Sequence, residues 1–320
     1  MKSIEHTTER PVWTNVVGLA RSVVASGTLL TLIVNSSDML FRPANQTMRD
    51  AAGDFLPVRL SLFGLLAPAH LGLARAIAIA VLALVVSGWR PRFTGILHWY
   101  VAASFATSCI VIDGGDQIAA VLALLLVPVT LTDGRRWHWD APPAIGPGVG
   151  AQLAAFVSRL MLWTVRLQVA GIYFHASTAK LGVKEWRDGT ACYYWFTNST
   201  IGLSPTLERW AMPILSKSAG VVALTWGTLV LEVVLFGALF MERRWRRRLL
   251  PLGLAFHAAI IFIHGLVSFF GSMSAALILF LQPVDEPFAW IDALRMRLSR
   301  RGPAPQLALV VAPVVAEHAA

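Results

Sequence analysis

The chain has 320 residues, of which 56% are hydrophobic and 14% charged, and its mean hydropathy is +0.62. A soluble domain carries about 25% charged residues, so a soluble chain of this composition could not cover its surface with polar groups. The formal net charge of +9 would suit a nucleic-acid partner in a soluble protein. Here, however, the basic residues lie between apolar segments, as in cytoplasmic loops of membrane proteins. The composition predicts a polytopic membrane protein and argues against a nucleic-acid partner.

Apolar segments long enough to cross a bilayer, which takes about 20 residues, recur along the chain. The first follows a polar tail, residues 1–13, without a cleavage signal, so we expect it to stay as an anchor. A loop at 35–59 and a short apolar piece at 60–69, expected to be re-entrant or interfacial, come next. The candidate spans are 15–34, 71–88, 93–112, 117–131, 151–179, 219–240, 249–267 and 269–281.

Arginines in alternate loops orient this arrangement. They occur at 90–92, at 135–136, in the run 243–248 and in the C-terminal tail, and the positive-inside rule places these loops in the cytoplasm. Arg42 and Arg49 run against the trend, and counting 60–69 as a further span would reverse the N-terminus. We predict an all-α bundle of about eight spans in the cell membrane, residues 14–285. The tails, 1–13 and 286–320, are both predicted to be cytoplasmic.

A dense polar cluster, residues 173–191, lies at the outer end of the fifth predicted span. Ionisable groups at membrane depth are costly, so they are candidates for function. A lysine desolvated near apolar surface can act as a base through its neutral amine, whereas a lysine that snorkels to the headgroups needs no function. The sequence leaves both interpretations open for Lys180, and snorkelling fits Lys184 better.

Several neighbours of Lys180 are candidate contacts. Tyr173 and Ser177 have helical spacing to it, whereas His175, five residues away, does not share its face. Trp186 belongs either to an aromatic belt at the membrane interface or to an entry for an apolar substrate such as a quinone or a lipid-like peptide.

The predicted topology collects further polar groups at the same outer mouth. Asp113 and Asp116 flank the tip between the third and fourth spans, although turn chemistry alone explains them. His257 and His264 share a face of the seventh span, but about 10.5 Å of rise separates them, so no metal site is predicted. Glu232 lies within the sixth span, where an interhelical pair with Arg159 or Arg166 is expected.

The two cysteines, Cys109 and Cys192, are both predicted to lie near the outer face. A disulfide between them and two unrelated buried thiols are equally compatible with the sequence. No Walker loop, GxGxxG, GxSxG or HExxH motif occurs, so nucleotide hydrolysis, serine-hydrolase and zinc-protease chemistry have no support.

Two sets of motifs carry a resemblance to known families. RLQV at 166–169, YF at 173–174, AKL at 179–181, Trp186 and GTA at 189–191 resemble HTTM-domain membrane proteins, which include the vitamin K-dependent γ-glutamyl carboxylases. TNVVGLARS at 14–22, NS at 35–36 and FRP at 41–43 resemble, more narrowly, the SdpB-type proteins of antimicrobial peptide systems. Together these motifs cover most of residues 12–285.

The resemblance implies a role in maturing or exporting a secreted peptide, with companion proteins of the same system and the lipid bilayer as partners. In the carboxylases, a lysine matching Lys180 is the base that deprotonates vitamin K hydroquinone on the extracytoplasmic side. A histidine that also acts there is matched by Asp116, and we expect no counterpart of the large lumenal domain that holds the carboxylase's peptide substrate. The carboxylase resemblance makes a quinone a candidate cofactor. These two departures leave the identity of the cofactor open.

We therefore expect a membrane protein that matures or exports a secreted antimicrobial peptide precursor. It would modify the peptide if it is an enzyme. The catalytic candidates are Lys180, Asp116 and His257. The candidate substrate contacts are Asp113, His264, Trp186 and Tyr173. The alternatives are a non-enzymatic chaperone, exporter or immunity partner that docks the peptide, and a quinone-dependent, carboxylase-like enzyme.

Overall fold

A computed structural model of the chain describes residues 11–41, 55–66, 70–110 and 113–300. The regular structure of these residues is helical, apart from one isolated antiparallel bridge between Trp89 and Trp137. The predicted all-α class is confirmed for this part of the chain. Residues 42–54, which include Arg42 and Arg49 of the predicted first loop, and residues 67–69 lie outside the described residues.

The helices up to Pro287 form one compact unit. In chain order they are α1 (Asn15–Val34), α2 (Ser37–Phe41), α3 (Leu56–Arg59), α4 (Leu62–Leu65), α5 (Leu71–Ser87), α6 (Pro91–Ser108), α7 (Gly114–Leu131), α8 (Val149–Leu181), α9 (Lys184–Arg187), α10 (Ala191–Phe196), α11 (Pro205–Leu215), α12 (Ser218–Gly237), followed by a 3₁₀ turn (Ala238–Phe240), α13 (Arg243–His264) and α14 (Val267–Leu281). The segment from Phe288 is a separate unit, and its described part is α15 (Ala289–Arg300).

Each of the eight predicted spans corresponds to a helix. Five of the described helices, α1, α7, α8, α12 and α13, are long and apolar enough to cross a membrane, and α5 and α14 are shorter apolar helices. The short apolar piece at 60–69 contains α4, a single turn that follows α3. The described part of the chain is therefore all-helical, with several helices of membrane-spanning character.

Local sequence explains where these helices begin and end. The side chain of Thr14 accepts a hydrogen bond from the backbone N–H of Val16 in the first turn of α1. Asp113 and Asp116 form a capping box at the start of α7, each accepting the other's backbone N–H at 3.0 and 3.1 Å. Gly88 (φ +87°) and Gly265 (φ +73°) end α5 and α13 in the left-handed conformation, which costs glycine little.

Helix α14 lies at the centre of the unit. All of its residues from Gly271 to Leu281 are buried, and it packs against α1, α7, α8 and α13. It approaches α1 closely because two glycines face each other: a Cβ on Gly271 would lie 3.2 Å from the Cα of Gly27. Small residues at such crossings let helix backbones pack closely in membranes.

A buried polar cluster joins α1 to the connection between α7 and α8. Arg21, only 1% exposed, donates to Thr94 Oγ1 at 2.5 Å and lies 3.4 Å from His138 Nδ1. Ser22 lies 3.2 Å from the other ring nitrogen of His138. Burial, with the nearby charges of Arg21 and Arg135, holds the pKa of His138 well below its ordinary value. A neutral ring can accept a hydrogen bond from the guanidinium, which fixes this end of α1.

The α1–α14 crossing yields a stability prediction. A leucine at Gly271 would have to displace Gly27 and the carbonyl oxygen of Val23, 3.3 Å from the Cβ position. We expect Gly271→Leu to lower the free energy of unfolding by about 1–3 kcal/mol, the usual cost of overpacking. The thermal unfolding midpoint of the purified protein in detergent measures this effect.

Gly171→Leu is the matched control, because a Cβ at this α8 position meets no atom within 4 Å. Its midpoint should equal that of the wild-type protein or exceed it. An equal loss in both variants would contradict the close α1–α14 contact.

Candidate functional site

A cavity of about 500 Å³ lies between α8, α12, α13 and α14. Its walls are mostly aliphatic and aromatic, and they include Phe256, Phe269 and Met273. Five of the predicted site residues line it: Tyr173, Lys180, Trp186, His257 and His264. The structure thus brings together residues from two distant segments, 173–186 and 257–264, and we call this space the lysine cavity.

Lys180 forms an ion pair with Glu232 in this cavity. Its Nζ donates to Glu232 Oε1 at 2.6 Å. The side chain of Glu232 is 6% exposed and that of Lys180 is 25% exposed. The second carboxylate oxygen of Glu232, Oε2, is buried without a hydrogen-bond partner. Lys180 Nζ also lies 5.3 Å from the centre of the Trp186 ring, within cation–π range.

The expected pairing of Glu232 with Arg159 or Arg166 is wrong. Helix α12 runs antiparallel to α8, with Phe236 against Phe174 at a ring distance of 5.1 Å. This register places Glu232 beside the last turn of α8, whereas Arg166 lies about four turns earlier and packs over Trp163 at 4.1 Å. The sequence shows that Glu232 is an acidic group inside a predicted span, but it does not show how α12 is aligned against α8.

The ion pair lies within the length of α12. Glu232 is fourteen residues after Ser218, about 21 Å of helical rise. The chain after Lys180 folds back alongside the preceding part of α12: Cys192 N on α10 donates to Thr225 Oγ1 at 3.1 Å. Lys180 lies in the last turn of its own helix, as predicted, and the following chain places the Trp186 ring beside its ammonium group.

Tyr173 and His257 form a second polar pair in the lysine cavity. The Tyr173 hydroxyl lies 2.8 Å from His257 Nε2, and both residues are buried. His257 Nδ1 is buried without a hydrogen-bond partner. The ring also packs against Phe269, with centroids 5.6 Å apart. Glu232 Oε2 and His257 Nδ1 are therefore two buried polar atoms without hydrogen-bond partners, both on residues that line the cavity.

Aromatic residues separate the lysine cavity from a second space of about 270 Å³. Trp186 and Trp195 line both. The ring of Trp195 lies 5.8 Å from that of His264, and His264 Nδ1 contacts the carbonyl oxygen of Ile201 at 2.6 Å. The indole side chains thus form a shared wall near the end of α13.

Asp113 and Asp116 do not join this cavity. Their carboxylates bond the backbone N–H groups that open α7, and Asp113 Oδ2 also accepts from Ser268 Oγ at 2.9 Å. The turn-chemistry alternative explains both residues. Asp116, the residue that stands for the carboxylase histidine, is therefore engaged in helix capping.

The disulfide considered for Cys109 and Cys192 is not formed. Cys109 is buried in an apolar cluster with Leu32, Leu82 and Phe105. Cys192 lies beside Thr225 of α12, in the wall of the lysine cavity. Burial raises the pKa of the Cys192 thiol above its ordinary value. The two thiols are separate core residues.

The amino-acid sequence is similar to proteins of Bacillus subtilis. It is 44% identical to uncharacterized protein YitO over 302 residues, which cover 94% of this chain and 96% of YitO. It is 38% identical to sporulation-delaying protein SdpB over 275 residues, which cover 86% of this chain and 83% of SdpB. No family model matches the chain, and no solved structure matches it significantly.

A double-mutant cycle tests the ion pair. Lys180→Met leaves the Glu232 carboxylate buried without its cation, and Glu232→Leu leaves the ammonium without its anion, so each should destabilise the protein. The double variant should lose less than the sum of the two, with a coupling free energy of about 1–3 kcal/mol from denaturant unfolding. Strictly additive losses would mean that the two side chains do not interact.

Thiol labelling tests the surroundings of Cys192 in a Cys109→Ser protein. The thiolate is the reactive form, so a raised pKa should slow maleimide labelling at neutral pH relative to the unfolded chain. The rate should increase as the pH rises past the ordinary thiol range. Folded and unfolded protein labelled equally fast at neutral pH would contradict the burial of this thiol.

Proposed function

Because the chain belongs to the family of YitO and SdpB, we propose that it is a multi-pass protein of the cell membrane that matures or exports a secreted antimicrobial peptide. The name of the relative, sporulation-delaying protein SdpB, and the SdpB-type motifs at 14–22 and 41–43 support this role. A peptide precursor and companion membrane proteins of the same system are its proposed partners.

The observation that carries the site assignment is the Lys180–Glu232 ion pair inside an apolar cavity. Charged side chains inside membrane bundles are costly and commonly mark substrate or proton pathways. Within the ion pair the lysine carries the proton, and the carboxylate of Glu232 is the group able to accept another. Its Oε2 is buried without a hydrogen-bond partner, so this oxygen would gain one if the wall of the cavity moved to admit a substrate.

The chemistry follows from this pair. Glu232 would take a proton from an acidic N–H, O–H or C–H bond of the bound peptide and become neutral. The Lys180 ammonium would then lie beside the anion that is formed and stabilise it in a medium of low dielectric constant. The lysine expected to act as the base thus becomes the electrostatic stabiliser, and Glu232 becomes the base.

The walls of the cavity favour an apolar peptide segment as the substrate. Side chains such as Ile260, Ile263 and Phe256 supply most of the lining, and the Tyr173–His257 pair offers a hydrogen-bonding group for a backbone amide. Pockets of this kind bind by apolar contact and orient the ligand with a few polar groups. The same features support the alternative in which the cavity only docks the peptide for export.

The lysine cavity supports a quinone cofactor in its size and aromatic walls, but not in its catalytic residues. A space of about 500 Å³ with aromatic walls suits a quinone ring. The second catalytic position implied by the carboxylase resemblance, Asp116, caps α7 and does not line the cavity. We therefore derive no quinone-dependent step.

Substitution of the ion pair tests the proposal. In cells that express the chain together with its proposed peptide precursor, Lys180→Ala and Glu232→Gln should each reduce the modified, secreted peptide by roughly 100-fold or more. This is the usual range for loss of an acid–base group. Intact mass spectrometry of the secreted peptide measures both its amount and its modification.

Lys184→Ala is the control, because Lys184 lies one turn later and does not line the cavity; it should leave the peptide unchanged. Lys180→Arg separates two roles: a charge stabiliser tolerates arginine partly, whereas a neutral lysine base does not. Fully mature peptide at normal yield from both Lys180→Ala and Glu232→Gln would refute the catalytic site. A normal mass with reduced secretion would instead favour docking.

A further inference from the structure

A smaller cavity of about 170 Å³ lies far from the Lys180–Glu232 pair, and we call it the basic cavity. It is lined by Arg159 and Arg166 of α8 and by Arg243 and Arg246 of α13, with Asp285 as its one acidic residue. Arg166 precedes Lys180 by fourteen residues, about 21 Å along α8. The residues that precede α1 and follow α14 complete the lining: Pro11, Val12, Pro283 and Val284.

The positive charge in this cavity is only partly compensated. Asp285 and Glu286 both pair with Arg243, at 2.8 and 3.3 Å. Across the described residues, no carboxylate lies within ion-pair distance, 4.0 Å, of Arg166 or Arg246. The Nε atoms of both are buried without a hydrogen-bond partner, and Arg246 as a whole is only 7% exposed.

For Arg166 and Arg246, the lack of a carboxylate partner among the described residues costs free energy. A buried charge without a partner is strongly destabilising, which applies to Arg246, and Arg246 and Arg243 repel the charge of the half-buried Arg166. The face of Arg166 packs over Trp163 at 4.1 Å, which holds the guanidinium plane in one orientation. An anion that accepts several N–H bonds at once would remove the penalty, and planar guanidinium groups match phosphate oxygens in this way.

The size of the cavity agrees with such an anion. At about 170 Å³ the cavity has room for several waters, or for a phosphate group with its four oxygens. The apolar side chains of Leu162, Trp163 and Leu279 share the lining, and Trp163 is 53% exposed on the outside of the bundle. An acyl chain attached to the phosphate could follow this surface.

From the uncompensated arginines and the shape of the space, we propose that the basic cavity binds an anionic phosphate group. A phospholipid headgroup and free phosphate share this chemistry, and basic pockets between spans commonly hold lipid headgroups. The ligand would lock the ends of α8 and α13 together. This site is separate from the lysine cavity and does not depend on the proposed peptide function.

Stability of the full-length, delipidated protein in neutral detergent gives the direct test. Its thermal unfolding midpoint is measured with added phosphatidylglycerol, with phosphatidylcholine and with inorganic phosphate, and native mass spectrometry counts the lipids retained. We expect phosphatidylglycerol to raise the midpoint and to stay bound, because a ligand specific to the folded state stabilises it. Phosphatidylcholine should do neither.

The inorganic phosphate arm identifies the source of the anion. An equal increase with inorganic phosphate assigns the site to the free ion, and an increase with phosphatidylglycerol alone assigns it to the lipid headgroup; both support the site. No increase with either ligand overturns the proposal, and the wild-type protein alone suffices for this outcome.

Matched variants locate the site. The pair Arg166→Gln and Arg246→Gln should weaken phosphatidylglycerol binding at least about tenfold, the range for lost hydrogen bonds to a charged group. Arg246→Lys, which keeps the charge, should retain part of the binding. The control pair, Arg244→Gln and Arg248→Gln, removes two exposed arginines from α13, the helix that carries Arg246. Equal losses in the two pairs would overturn the proposal, because binding would then follow net charge alone.

Discussion

A single ion pair, Lys180–Glu232, sets the conditions that the surrounding structure must meet. Two charges placed among apolar helices lose much of their hydration, and their attraction compensates only if the geometry is good and water is largely excluded. The 2.6 Å contact meets the first condition. The second is met at Glu232, whose side chain is 6% exposed, while Lys180 in the last turn of α8 keeps 25% exposure beside the Trp186 ring. In the proposed function, this desolvated pair is the reactive centre.

Helix α14 makes the arrangement of the bundle possible. It is the shortest of the apolar helices, and its buried length separates α1 from α8 and α13. Helix α8 carries polar groups at two levels, Arg166 near one end of the bundle and Lys180 near the other, with apolar residues such as Val169 and Ala170 between them. The two proposed sites therefore share one rigid helix while remaining distinct in charge: one is anionic at Glu232 Oε2, and the other is cationic at Arg166 and Arg246.

Much of the helical structure, and several residues of the lysine cavity, could be predicted from the sequence. Apolar length and helix-ending residues give the bounds of α1 and α5 to within a residue, since these signals are local. Helical spacing placed Tyr173 and Lys180 on one face and His257 and His264 on another, and all four line the cavity.

The partner of Glu232 could not be predicted, because the register between α8 and α12 depends on packing along their whole length. Asp113 and Asp116 were ambiguous for a different reason: the same carboxylates suit a cap or a catalytic site, and their location decides between these roles. The number of spans stays a prediction, because only five of the helices in the described part of the chain satisfy both length and apolarity.

The proposed peptide site requires that the lysine cavity open to the outer face of the cell membrane. Substituted-cysteine labelling of intact cells tests this directly, in a background with Cys109→Ser and Cys192→Ser. Ile263→Cys lies in the cavity wall, whereas Phe262→Cys replaces a neighbouring side chain that is 68% exposed on the outside of the bundle. We expect a charged, membrane-impermeant thiol reagent to label Ile263→Cys and to leave Phe262→Cys unlabelled. Labelling of Ile263→Cys only after the cells are permeabilised would contradict an outward-facing site.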